Sequence, residues 1–113
     1  MRDRFEHYHP PESRAELEKR YALGERRFPC TELSDADLSG VVLDGADFEK
    51  HSWFSNANFS GASLRDTSFR ECNVKCANFS TADLTGANVE LAAIESMPLT
   101  MTMTAAIFQI SAH

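Results

Sequence analysis

The chain has no run of 18 apolar residues, the minimum for a membrane-spanning helix. Its first residues, Met1-Arg2-Asp3-Arg4-Phe5-Glu6, lack the apolar stretch of a secretory leader. No membrane role is therefore expected, and a cytoplasmic location is. Basic side chains are also scarce, with 11 Lys and Arg against 17 Asp and Glu and a net charge of −6. That balance argues against direct nucleic-acid binding through a basic surface. Cysteine is rare and odd in number: Cys30, Cys72 and Cys76 read as reduced thiols in a chain with no export signal. With 113 residues there is room for one compact core and not for two.

Charge is unevenly distributed. Residues 1–30 carry seven basic and six acidic side chains, residues 31–96 carry four and eleven, and residues 97–113 carry none. Three segments follow: a tail and helix over 1–25, a repeat over 26–96, and an uncharged apolar ending over 97–113.

From Leu33 a large apolar residue returns every five positions, at Leu38, Leu43 and Phe48. After one extra residue near His51 it resumes with Phe54, Phe59, Leu64, Phe69, Val74, Phe79, Leu84, Val89 and Ile94. A small residue stands two positions before each, as Ala36 does before Leu38 and Cys72 before Val74. Period five matches neither a helix nor a strand alternation. It requires a backbone that turns a corner every five residues and sends the same two side chains inward. Four such units close a square coil of about twenty residues, and stacked coils pair at about 4.8 Å. The glycines Gly40, Gly45, Gly61 and Gly86 fall at corners that call for a left-handed backbone.

Units such as Ala36-Asp37-Leu38-Ser39-Gly40, Ala57-Asn58-Phe59-Ser60-Gly61 and Ala82-Asp83-Leu84-Thr85-Gly86 resemble the A(D/N)Lxx unit of the pentapeptide-repeat proteins, a resemblance that covers residues 31–96. It implies an all-β solenoid, a right-handed quadrilateral β-helix of about three coils. Stacking one coil apart predicts apolar columns: Phe28, Phe48, Phe69 and Val89 in one, Leu38, Phe59, Phe79 and Leu99 in another. The helix is expected to end near residue 96, because Met97 is too bulky for the small-residue slot.

An open solenoid end exposes core and unpaired backbone. Residues 11–23, with Ala15, Leu17, Tyr21, Ala22 and Leu23, read as a short amphipathic capping α-helix stopped by Gly24. Residues 97–113 read as an apolar cap, a strand or a dimerisation element. Met101, Met103, Ile107, Phe108 and Ile110 are the candidate contacts of a homodimer built there.

No catalytic constellation emerges, so no enzyme, cofactor or metal is expected. Serines lack a Gly-x-Ser-x-Gly turn, and the glycines mark corners rather than a phosphate loop. Cys72 faces inward and Cys76 outward in the repeat frame, so they cannot chelate one ion. His7 and His9 form a His-x-His pair in a polar tail without further ligands, read as disordered. The resemblance also brings in gyrase binding by DNA mimicry as an alternative function. The charges, however, map onto four walls without a continuous acidic stripe. Trp53 points outward beside the His51 insertion, either as a binding anchor or lying over its own wall. The expectation is a bacterial, non-enzymatic scaffold or interaction module with a protein partner, its identity open.

Overall fold

The structure is a computed structural model and describes residues 8–90 and residue 92. Helix α1, Arg14–Ala22, comes first. Ser13 is its N-cap, and the Glu16 backbone N–H donates to the Ser13 hydroxyl at 3.1 Å. The Glu16 carboxylate in turn accepts from the Glu12 N–H and from Arg20, which holds that carboxyl below its usual range. Of the five apolar residues assigned to the buried face, only Leu17 is fully enclosed, with Tyr21 packed beside it. Leu23 is 78% exposed, and Ala15 and Ala22 also face solvent. The helix thus rests on two positions four apart, one stripe of a 3.6-residue turn. Tyr21 fixes it by donating to the Asp44 carbonyl at 2.7 Å, and Arg14 reaches the Asp37 carbonyl at 3.3 Å.

From Arg27 the chain pairs with itself through single parallel bridges rather than extended strands. Arg27 pairs with Asp47, Trp53 with Asn73, Asn58 with Asn78, Ser63 with Asp83 and Ser68 with Asn88, each twenty residues on. Glu32 with Trp53, Asp37 with Asn58, Val42 with Ser63 and Asp47 with Ser68 are twenty-one apart. Every longer step crosses the segment between Asp47 and Trp53, which places the extra residue there. Each bridge residue sits between the small and the large inward residue. Its N–H donates one coil down, as Asn78 does to Ala57, and its carbonyl accepts from that same coil, as that of Asn78 does from Phe59.

The corner chemistry explains the residue choices. At most corners, though not at Thr31, whose N–H donates to the Ser52 hydroxyl, the N–H of the small residue donates back to the preceding large residue, as Ala77 does to Val74 at 3.0 Å, closing a four-residue turn. Its third residue has positive φ, the requirement of a type II turn. Glycine supplies this at four corners, but Cys30, Asp35, Lys50, His51, Asn56, Asp66, Glu71, Cys76 and Thr81 adopt it too. The association of left-handed corners with glycine therefore extends to nine other residues, held there by the pairing above and below. Thr81, at φ 58°, carries the largest local penalty because its branched Cβ crowds the left-handed backbone. Thr81→Asn is expected to raise stability by about 1 kcal/mol, measured by urea unfolding; no gain would mean that this corner carries no strain.

The Asp or Asn of the repeat has its own task. The Oδ1 atom accepts from the N–H two residues on, from Ser39 to Asp37, Glu49 to Asp47, Ser60 to Asn58, Lys75 to Asn73, Ser80 to Asn78, Thr85 to Asp83 and Glu90 to Asn88. These Asx turns start seven corners with a side-chain bond, beside a second backbone ladder that joins corner to corner, as the Gly40 N–H donates to the Ser60 carbonyl.

Inside, the predicted columns are enclosed as far as they are described; Leu99 lies outside the described residues. Phe28, Phe48 and Phe69 rise with centroids 5.6 Å apart at each step, rings 26° and 17° from parallel. Phe59 and Phe79 stack at 5.0 Å and 4°. Neighbouring columns meet edge to face, so Phe69 touches Phe48, Phe54, Phe59 and Phe79. The polar small residues are satisfied from within: Thr67 donates to the Leu43 carbonyl at 2.9 Å and Cys72 to that of Phe48 at 3.0 Å.

Candidate functional site

The outer surface is where function must reside, since the interior is filled by Phe, Leu, Val and Ala. Most wall residues are engaged with one another. Arg70 sits amid Glu49, Glu71 and Glu90, with Nε 3.1 Å from Glu90 and terminal nitrogens 3.7 Å from Glu71 and 4.0 Å from Glu49. The charges of this column cancel in part. The Asp44 carboxylate accepts from the Ser63 hydroxyl and the Arg65 backbone N–H, while the Arg65 guanidinium lies 3.8 Å from Asp83. Asp37 and Asp83 are each held below the usual carboxyl range by hydroxyl and N–H bonds from Ser39 and Thr85. The acidic excess is thus largely committed to corners and ladders.

Two large apolar side chains interrupt these polar walls. Trp53 is 47% exposed in the column Glu32, Trp53, Asn73, and Val42 is 53% exposed in the column Val42, Ser63, Asp83. Trp53 therefore points outward, as its place in the repeat predicts. His51 is exposed at the enlarged corner just before it, where Lys50 and His51 take φ of 74° and 66° in succession. Met101, Met103, Ile107, Phe108 and Ile110 lie outside the described residues.

The same corner borders a feature that periodicity could not reveal. Tyr8 and Pro10, from the segment ahead of α1, face Pro29, Cys30, Lys50 and His51 across a cleft of about 570 Å³. The Cys30 N–H donates to the Lys50 carbonyl at 3.1 Å, joining the two corners that form one side. Among the described residues no group meets hydrogen-bond geometry at the buried Tyr8 hydroxyl, and that burial, with the nearby Glu25 charge, raises its pKa above the usual phenol value. Contrary to the expectation of a disordered tail around His7 and His9, the Tyr8 ring packs near Arg20, whose guanidinium carbon is 5.9 Å from the ring centroid. The apolar ring of a residue between two histidines was the available signal. His9 is exposed, and His7 lies outside the described residues.

Among the described residues no three His, Cys, Asp or Glu side chains gather as metal ligands. Cys72 is buried and Cys76 exposed, on opposite sides of the wall as the repeat frame requires. Burial pushes the Cys72 thiol up to about 12.

A coil closing every twenty residues, with a small and a large residue inward per corner, defines a repeat solenoid whose surface is a grid of short polar turns. The family model of Pentapeptide repeats matches residues 27–50 and 51–90, in eight copies. The chain belongs to the pentapeptide-repeat family, and its fold is that family's right-handed β-helix. Among solved structures it is similar to a pentapeptide repeat protein of the Arabidopsis thaliana thylakoid lumen, at 32% identity and TM-score 0.64. That alignment covers 80% of this chain and 61% of the plant chain, so this chain spans less than two thirds of its length. A pentapeptide repeat protein of Nostoc aligns at 24% identity and TM-score 0.41, covering 92% of this chain and all of that one. Another, from the cyanobacterium Cyanothece, aligns at 25% and 0.37, covering 73% and 63%. No curated protein matches.

Proposed function

We propose that this protein is a non-enzymatic scaffold or protein-interaction module that acts by presenting side chains from rigid walls. The observation that carries this reading is Trp53, half exposed on a wall whose polar residues are otherwise engaged in corners and charge ladders. A large aromatic side chain fixed on a rigid surface is the residue type that anchors interfaces at small entropic cost. Helix α1 covers the start of the first of about three square coils, with Leu17 inserted and Tyr21 hydrogen-bonded to Asp44. The division is then 1–25 for tail and cap, 26–96 for the β-helix, and 97–113 for an apolar closure. A cytoplasmic, bacterial setting fits three free thiols, two of them exposed.

Immobilised protein is expected to retain a host protein that Trp53→Ala fails to retain. Equal retention by both would remove Trp53 as the anchor, and recovery of gyrase subunits would favour the DNA-mimic alternative. The uncharged segment 97–113 is the proposed homodimer contact. Sedimentation should then show a dimer for the intact chain and a monomer once those residues are removed; a monomer in both defeats the proposal.

A further inference from the structure

Trp53 has a neighbour of opposite character in its own column. The parallel bridge from Glu32 to Trp53 sets the two residues one coil apart on the same wall. Two hydrogen bonds fix that register: the Trp53 N–H donates to the Thr31 carbonyl at 2.7 Å, and the Leu33 N–H donates to the Trp53 carbonyl at 2.9 Å. Thr31 and Leu33 flank Glu32 and are both buried, so the carboxylate and the indole cannot slide past one another. Both side chains reach solvent, Glu32 as an exposed residue and Trp53 at 47% exposure. Coils lie about 4.8 Å apart, within the roughly 6 Å over which an aromatic face attracts a cation.

Glu32 is itself held in place. Its Oε2 accepts from the Ser34 N–H at 2.9 Å, one bond on a group with about four acceptor positions. Asn73, on the other side of Trp53, is half-buried, and its Oδ1 already accepts from the Ser55 hydroxyl at 3.2 Å and the Lys75 N–H at 3.0 Å. The wall thus offers an indole and one anionic acceptor side by side. An ammonium meets such groups as a point charge, whereas a planar guanidinium stacks on the ring and donates in its own plane to the carboxylate. Charge favours the same ligand, since residues 31–96 carry eleven acidic and four basic side chains. From this geometry we infer that Trp53 and Glu32 form a docking site for an arginine side chain of a partner protein. The guanidinium lies over the indole and donates to the remaining acceptor positions of Glu32. The site rests on the reading of Trp53 as the interaction anchor and gives that anchor its ligand.

Trp53 is the single tryptophan of the chain, so its fluorescence reports on the site directly. The full chain is titrated with acetyl-Gly-Arg-Gly-Arg-Gly-amide and with the same peptide carrying citrulline, the uncharged isostere, in place of arginine. The arginine peptide is expected to change Trp53 emission saturably. The citrulline peptide should need about tenfold higher concentration, the scale of a charge-assisted hydrogen bond. A lysine peptide should need about threefold more than the arginine peptide, for want of the stacked plane. Glu32→Gln should remove the preference for arginine over citrulline. Asp66→Asn, which takes the same charge from an exposed corner outside this wall, should leave that preference unchanged. Circular dichroism of both variants checks that the coils are intact. No response of Trp53, an equal response to citrulline or lysine, or an equal loss in both variants would overturn the assignment. Retention of a host protein through Trp53 with no response to the arginine peptide would leave the anchor standing and overturn its ligand.

Discussion

Phe69→Ala is expected to lower the free energy of unfolding by about 4 kcal/mol, the scale of a buried phenylalanine removed from a close-packed core. Phe69 is fully buried and contacts four other aromatic rings, stacking on Phe48 in its own column and meeting Phe54, Phe59 and Phe79 edge to face. Its removal opens a void that the coils cannot close, because their spacing is fixed by the parallel bridges Asp47 to Ser68 and Ser68 to Asn88. In a repeat array each coil is stabilised by its neighbours, so the loss falls at the centre of the stack. Urea unfolding followed by circular dichroism measures it. A loss under about 1 kcal/mol would show that the coils are held by backbone pairing more than by the aromatic interior.

The second large effect is a dependence on pH. The Cys72 thiol is raised from an ordinary 9.0 to about 12 by burial, and it donates to the Phe48 carbonyl as a neutral group. Between those values the unfolded chain has released the proton while the folded chain retains it. The folded state then binds more protons, so stability falls as pH rises through this interval. It is fully present below pH 9 and declines by up to about 4 kcal/mol across the full range. Lysine and tyrosine side chains titrate in the same region. The informative quantity is therefore the difference between the native chain and Cys72→Ala, measured by urea unfolding at pH 8, 9 and 10. The native chain should lose stability faster; parallel curves would mean that the thiolate is accommodated inside. The same shift keeps Cys72 inert, so a thiol reagent at pH 8 should modify Cys30 and Cys76 only.

These two effects act on residues already singled out by the five-residue period. Phe69 and Cys72 are inward because of their place in the repeat, and both are buried. The hydrophobic columns could be written down because stacking is set by a constant twenty-residue return. The helix was legible in position but not in its contacts: a nine-residue helix buries only what it lies on, and Leu23 and Ala22 lie on nothing. The spread of charge over four walls follows from the period, but the partners do not. Arg65 reaches up to Asp83 while Asp44 turns to the Arg65 backbone, a choice of rotamer and hydrogen bond that no spacing encodes.

The cleft shows the limit most clearly. Tyr8, Cys30 and Lys50 are about twenty residues apart from one to the next, and nothing local links them. Their meeting depends on where the N-terminal segment crosses the first coil and on how the inserted residue is absorbed at one corner. The period, the inward residues, the family and the outward position of Trp53 are readable from the residues alone, because each follows from a repeating backbone turn. Only the closed coils show that the acidic excess of the described walls is largely tied up at corners and ladders, that left-handed corners extend to nine residues other than glycine, and that a cleft between Tyr8, Cys30 and Lys50 opens at the insertion. The physical reason is that these depend on which groups lie one coil above and below, and that pairing exists only once the chain has closed its coil.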